Sequence, residues 1–329
     1  MSQSNSPAVR PGRTCPLDYR HGAASLDRAA DLEAETLYVV GGLYGNPFAL
    51  QAAQDLALLE PHARLVFNGD FNWFNVDDAG FVAVNEEVLS HAAIRGNVET
   101  ELLSPDAAAG CGCGYPDYVS DADVARSNAI MGSLAATAAR HLGLATRLAD
   151  LPMSLVARVG DAQVGIVHGD ADSLAGWHFG EEAIEPALVR GMFDAARVRV
   201  FASTHTCAAV AQVFDAAAGA SALFNNGAAG MPNFAGTAFG LVTRISVRPP
   251  PLNAHVLYGT EVAGLRVDAV ALEYDQRAWV ERFDRLWPAD SPAALSYRRR
   301  IVHGPAYVMQ QAMRAGIRPA NRPAQRRAA

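Results

Sequence analysis

Short apolar runs that end in glycine-bearing turns recur along the chain, and most are followed by a stretch with helical spacing. "TLYVV", residues 36–40, is apolar without alternation and stops at Gly41-Gly42, as a strand buried on both faces does. A helix is predicted over Pro47 to Leu59, with proline in the first turn where its missing N–H costs nothing. "ARLVFNGD" and "HAAIRGNVE" repeat the strand-and-turn form. "GCGCGYPDYVSDADVARSN" has no strong strand character and runs into a predicted helix over Ile130 to Leu142. "LVARVGDAQVGIVHGD" reads as two strands joined at Gly160-Asp161 by a hairpin turn. A helix over "IEPALVRGMFDAA" leads to the strand "VRVFAS" and the turn "THTC"; "ALFNNGAAGMPN" comes next. "FGLVTRISV" and "LRVDAVALEYD" then alternate as half-buried strands do. From Gln276, the helical spacing of Trp279, Phe283 and Trp287 predicts core packing. Strands alternating with helices and then giving way to hairpins predict an α/β fold with mixed sheets.

Composition narrows the class. The chain has 329 residues, 50% hydrophobic, enough for a sizeable core. Its net charge of -7 and pI near 5.7 offer no footprint for nucleic acid or an anionic membrane. From Arg298 on, the basic side chains (Arg298, Arg299, Arg300, Arg314, Arg318, Arg322, Arg326, Arg327) meet no acidic one, and a solvated tail that fits an acidic body is preferred over a nucleic-acid arm. The four cysteines, Cys15, Cys111, Cys113 and Cys207, are too few and scattered for a disulfide framework. The polar N-terminus lacks an apolar leader core, so a cytoplasmic protein with no membrane association is expected. Three stretches are expected: an N-terminal arm (1–36), a core (37–275) and a C-terminal helical, Arg-rich tail (276–329). Oligomeric state has no signature in the sequence.

In open α/β sheets, functional side chains collect at the carboxyl ends of strands. Five loops here come directly after apolar strands: "GGLYGN", "NGD", "RGNVE", "VHGD" and "STHTC". Singly each is weak. In this order they resemble the motifs of the calcineurin-like metallophosphoesterase family over residues 37–275. The resemblance implies a four-layer α/β/β/α sandwich of two mixed sheets flanked by helices, with a two-metal site at the strand ends. In that family the first motif reads Asp-x-His-Gly-Asn, and the others carry Gly-Asp, Gly-Asn-His-Asp/Glu, a His, and Gly-His-x-His. Asp70 then falls on the bridging carboxylate, Asn97 on the asparagine ligand, His168 on the fourth-motif ligand and His205 on the first histidine of the fifth motif.

Three positions depart from the pattern. Gly42 stands for the first-motif aspartate, Tyr44 for its histidine and Cys207 for the last histidine. All three belong to one metal's shell, while the other metal's ligands Asp70, Asn97, His168 and His205 are kept, so the resemblance implies one divalent ion per chain. Mn²⁺, Fe²⁺, Zn²⁺ and Ni²⁺ all suit such a donor set. The third-motif histidine, placed in the family to protonate the leaving group or steady the phosphate, is Val98. By this resemblance the chain is expected to be a phosphate ester hydrolase working through metal-activated water, with His168, Asn97 and Asp70 in catalytic roles and a phosphate-containing small molecule as substrate. The alternative is a non-catalytic metal, phosphate or nucleotide binder on the same fold.

"GGLYGN" fits neither a dinucleotide fingerprint nor a P-loop. Its backbone N–H groups are expected to remain able to meet an anion. Cys207 is a candidate soft ligand and Tyr44 a candidate phenolate or hydrogen-bond donor, with a packed thiol and an ordinary aromatic as the simpler alternatives. Arg95 and Arg126 could neutralise phosphate charge and His178, beside Trp177, could act as an acid; structural roles are the simpler assignment for each. Cys111 and Cys113 are expected in a flexible loop with inert thiols, with a soft-metal or redox Cys-x-Cys pair as the alternative.

Overall fold

The computed structural model describes residues 10–103 and 109–320; Arg322, Arg326 and Arg327 of the predicted tail lie outside the described residues. In chain order the main elements are β1 (Leu32–Ala34), β2 (Thr36–Val40), α1 (Pro47–Leu58), β3 (Ala63–Asn68), α2 (Asp78–Val88), β4 (Ala92–Ile94) and α3 (Asn97–Glu101). Then come α4 (Asp121–Ala138), α5 (Leu142–Ala149), β5 (Ser154–Val159), β6 (Ala162–Val167), α6 (Pro186–Ala196), β7 (Val200–Ser203), β8 (Val210–Ala216) and β9 (Gly219–Asn225). The chain closes with β10 (Gly240–Ser246), β11 (Val256–Val262), β12 (Leu265–Leu272), α7 (Gln276–Leu286) and β13 (Arg318–Pro319).

The strands form two mixed sheets, a seven-stranded one in the order β13-β11-β12-β10-β2-β3-β4 and a six-stranded one in the order β1-β5-β6-β7-β9-β8. Strand alternation sorts the side chains into layers. Leu37, Val39, Val66 and Ile94 pack between the sheets with Val164, Ile166, Val200 and Phe224. Their neighbours Tyr38, Val40, Leu65 and Phe67 face the other way, onto Ala53, Phe81, Ile130, Trp279 and Phe283 of the helices. Behind the second sheet, Val156, Phe201 and Leu223 meet Val189, Met192 and Phe193 of α6. The architecture is therefore a helix/sheet/sheet/helix sandwich, the apolar runs being strands covered on both faces.

Within one sheet β2, β3 and β4 run parallel. In the other, β6, β7 and β9 do. The loops after β2, β3, β4, β6 and β7 are the five motifs, four of them glycine-bearing, so parallel pairing delivers each set of motifs to one edge of its sheet.

Several elements differ from expectation. The helix predicted from Ile130 begins at Asp121, where the Ser120 side chain accepts the Asp123 N–H and two acidic residues occupy the first turn. It ends at Ala138, and α5 comes after it as a separate helix. Strands β8 and β11 are additions to the expected set; both are partly exposed, and β11 carries an irregularity between Val256 and Tyr258 that breaks its alternation. The N-terminal stretch, an arm that the sequence allows to pack on the core, contributes β1, paired with β5, and the buried Tyr19 and Leu26. Part-exposed arginines of the C-terminal stretch meet acidic groups of the body, Arg298 pairing with Asp284 and Arg314 with Glu181, while Arg300 donates to the Pro232 and Cys207 carbonyls. Among the described residues no helix is long and apolar enough to cross a membrane.

Candidate metal centre

Asp70, His168 and His205, each from a different strand end, offer ligand atoms that lie within 4.8 Å of one another, and all three are buried. Asn97, the first residue of α3, joins them: its Oδ1 is 3.1 Å from His168 Nε2. The approach is close enough to exclude any β-carbon at two turns. A Cβ on Gly69 (φ 95°) would stand 2.4 Å from His168 Nδ1, and one on Gly96 would stand 2.4 Å from Asp70 Oδ1. Asp70, His205, Tyr44 and Cys207 hold positive φ, four of the seven such non-glycine residues described. Backbone strain is thus concentrated at this cluster.

Hydrogen bonds fix which atoms face inward. The Asn68 carbonyl lies 2.8 Å from His168 Nδ1, so that nitrogen carries the proton and Nε2 is bare. The Cys113 carbonyl lies 3.1 Å from His205 Nε2, which leaves His205 Nδ1 bare. Asn97 donates its amide to the Cys111 carbonyl (2.9 Å) and the Cys113 sulfur (3.4 Å), turning its oxygen to the centre. His168 Nε2 consequently faces three acceptors, Asn97 Oδ1 at 3.1 Å, His205 Nδ1 at 3.2 Å and Asp70 Oδ1 at 3.3 Å. Bare nitrogens and oxygens this close repel unless a cation or a proton lies between them. Burial, the largest single influence, lowers His168, but the charge and hydrogen bond of Asp70, with the Asn68 carbonyl and Glu99, together raise the imidazole above its ordinary value. Burial, then the charge of His168, pushes His205 down to about 3. For Asp70, burial is overcome by His168, which holds the carboxyl below its usual range. Two imidazoles, a carboxylate and an amide oxygen suit a borderline divalent ion, and the backbone carbonyl behind each ring is the support that ligating histidines use.

Glu99 holds two of these loops together. Its Oε2 accepts the N–H groups of Asp70 (2.8 Å) and Gly96 (3.0 Å), and its Oε1 accepts Phe71 N–H (3.1 Å) and Asn72 Nδ2 (3.2 Å). Burial and the Asp70 charge push its carboxyl up to about 7, against the pull of the backbone N–H donors. Glu99 stands inside the third motif, where the family pattern has an acidic residue, but its stapling of the second loop has no sequence signal. Nor has the work of the Cys111–Cys113 loop, which is buried and pinned where a flexible loop is expected. Its carbonyls orient Asn97 and His205, and Trp177 Nε1 donates to the Cys113 carbonyl at 3.0 Å.

The positions that depart from the family motifs are filled. A Cβ on Gly42 would meet the Tyr44 ring at 2.9 Å, so the Tyr44 phenol occupies the room an aspartate would need. The Tyr44 hydroxyl is 2.8 Å from Cys207 Sγ, and burial raises both groups, keeping phenol and thiol protonated. Cys207 does not join the candidate ligand group. The expectation that the "GGLYGN" turn keeps N–H groups for an anion is corrected: Gly42, Tyr44, Gly45 and Asn46 donate to Gly69, Asp70, Phe71 and Leu43 carbonyls. Asn46 instead caps α1, accepting the Phe48 and Ala49 N–H groups. Arg95 reaches the Ala149 carbonyl and Arg126 reaches Ser296 and Asp123, so neither guanidinium is spent at the centre. His178 is exposed and absent from the cavity walls, its backbone N–H bonded to Asp170.

Asp70, Asn97 and His205 open onto a cavity of about 130 Å³ that is also lined by Val98. No family model matches the chain, and no curated protein matches it. Solved structures do. A metallophosphoesterase from Sphaerobacter thermophilus aligns with a TM-score of 0.52 and 16% identity, over 82% of this chain and 100% of that one. A hypothetical protein from Pyrococcus horikoshii OT3 aligns at 0.54 and 15% identity, over 82% and 99%. With two mixed sheets between helices and the motif loops at their parallel strand ends, this chain has the calcineurin-like metallophosphoesterase fold.

Proposed function

We propose that the chain is a metal-dependent phosphoesterase that works with one divalent cation held by Asp70, Asn97, His168 and His205. What supports this most is the convergence of inward-facing acceptors around His168 Nε2, with separations of 3.1 to 3.3 Å and every outward nitrogen already bonded. A cation there supplies Lewis-acid polarisation of a phosphoryl oxygen and lowers the pKa of a water molecule. The chain's own contribution is positional. Asn68, Cys111 and Cys113 carbonyls hold the three neutral ligands in orientation, and Glu99 fixes Asp70 relative to Asn97. Five aromatic side chains wall the small cavity that the candidate ligands open onto. With Val98 in the third motif, no histidine proton reaches the leaving oxygen from that loop.

The test is turnover of phosphomonoesters and phosphodiesters by the purified chain with Mn²⁺, Fe²⁺, Zn²⁺ or Ni²⁺ supplied, beside Asp70→Ala. Metal-dependent phosphate release that the variant lacks is expected; equal release by both refutes the assignment. The Tyr44–Cys207 contact that fills the second position favours a second reading, a phosphate-ligand binder without turnover. Thermal stabilisation by phosphate compounds with no hydrolysis under any metal would select it.

A further inference from the structure

The cavity over the candidate ligands is walled by five aromatic side chains, Tyr44, Trp73, Tyr115, Trp177 and Tyr297. Among the described residues no lysine or arginine lines it, and Asp70 brings the one carboxylate. An anionic or sugar-rich ligand would find few partners on such walls. Three of the five polar tips are already committed: Tyr44 OH to Cys207, Tyr115 OH to Ser127 at 3.0 Å, and Trp177 Nε1 to the Cys113 carbonyl. Ring carbon, with its negative π face, therefore makes up much of the wall that meets a ligand.

Ring geometry separates two kinds of guest. A flat nucleobase is held between near-parallel faces, whereas here Tyr115 and Trp177 meet at 48° with centroids 5.9 Å apart, and Trp73 and Tyr297 at 82° and 6.4 Å. Exposed Tyr118 extends the wall, set at 85° to Trp177 and 6.3 Å away. Rings at steep angles make a corner for a compact, rounded group. The volume agrees, since about 130 Å³ is well short of the ~300–1,000 Å³ that encloses larger organic ligands.

The geometry points to a phosphate ester of a quaternary ammonium alcohol as the ligand, its phosphate toward the candidate metal ligands and its ammonium against the aromatic walls. Choline phosphate is the simplest member of the class. This rests on the phosphoesterase reading. Aromatic walls attract a quaternary cation through their π faces, and exclusion of water strengthens the attraction. The same cation helps the chemistry where Val98 leaves no histidine donor. On hydrolysis the oxygen of water forms the new bond to phosphorus, the ester P–O bond breaks, and one proton of that water ends on the departing alkoxide. The products are inorganic phosphate and the alcohol. A positive nitrogen two carbons from the leaving oxygen withdraws electron density and stabilises that alkoxide as it departs.

The test uses the full chain loaded with Mn²⁺ and compares choline phosphate with 3,3-dimethylbutyl phosphate, which has carbon in place of nitrogen and the same shape. A kcat/KM at least tenfold higher for choline phosphate is expected, falling toward parity in Tyr297→Leu and, separately, in Tyr115→Leu. Independently of turnover, tryptophan fluorescence is titrated with choline and with 3,3-dimethylbutanol, and choline is expected to bind at least tenfold more tightly. Equal or better performance of the neutral compounds in both assays overturns the inference, and continued hydrolysis of 4-nitrophenyl phosphate would then leave the phosphoesterase reading standing. Preference for choline in fluorescence with no ester hydrolysed under any metal supports the ammonium site and removes the phosphoesterase reading instead.

Discussion

Replacing Glu99 with glutamine changes one buried atom and should disturb both stability and the candidate centre. Each carboxylate oxygen accepts two N–H donors, at 2.8 and 3.0 Å on one side and 3.1 and 3.2 Å on the other. Glutamine offers one oxygen and one NH₂, so one pair of donors loses its acceptor and faces another donor. Each buried donor left unsatisfied costs about 1–3 kcal/mol, or about 2–6 kcal/mol for the pair. That is a large share of the ~5–15 kcal/mol by which a folded protein is normally stable. Because the lost bonds fix the Asp70 and Gly96 backbones, Mn²⁺ affinity should also fall, by roughly 10–100-fold as for other supports of metal ligands. Urea unfolding of the metal-free protein by circular dichroism gives the first quantity and calorimetric titration with Mn²⁺ the second. Glu86→Gln, at a half-exposed pair with Arg147, is the control and should shift stability by no more than ~1 kcal/mol. Glu99→Gln behaving like that control in both assays would refute the stapling role.

Three further outcomes are expected from the same geometry. Joint replacement of Gly42→Asp, Tyr44→His and Cys207→His should raise metal content from one to two per chain by elemental analysis. Gly42→Asp alone should not, because the Tyr44 ring fills the space. His205 contributes a loss of stability to the metal-free protein as pH falls from 6.5 toward 3, because its folded value is pushed down to about 3 and only the unfolded chain protonates it there, while Glu99, pushed up to about 7 from 4.5, contributes the opposite slope between those two values. That histidine contributes a slope of up to about 1.4 kcal/mol per pH unit, and His205→Gln should flatten the urea-measured profile by that amount. His168 works oppositely, its raised value adding stability that is complete below 6.5 and fades as pH rises through the folded value. Finally, Arg244 is buried between Glu60 (2.6 Å) and Asp268 (3.1 Å); Arg244→Met strands two carboxylates and should cost about 3–5 kcal/mol in urea unfolding while metal content stays unchanged.

Strands β2, β3, β6 and β7 are legible in the sequence because each is an apolar run covered on both faces and cut off by a glycine turn or a short polar loop. The motif side chains can be read for the same reason, since parallel strands ending in loops fix where Asp70, His168 and His205 emerge. Strands β8 and β11 are not legible, because half-exposed strands mix polar and apolar residues without a clean period. The supports of the centre are invisible on different grounds. Backbone carbonyls like those of Asn68, Cys111 and Cys113 exist at every residue, and only the fold selects which ones face a histidine or an asparagine amide. The "GGLYGN" amides show the converse: glycine signals a turn, and says nothing of whether neighbouring carbonyls have already taken its N–H groups.

The most direct measurement is the metal content of the purified chain beside that of Asp70→Ala after equilibration with Mn²⁺ and removal of free ion. One equivalent in the parent chain and none in the variant is the predicted result. No metal in either, or equal metal in both, would contradict the claim that Asp70, Asn97, His168 and His205 form a cation site.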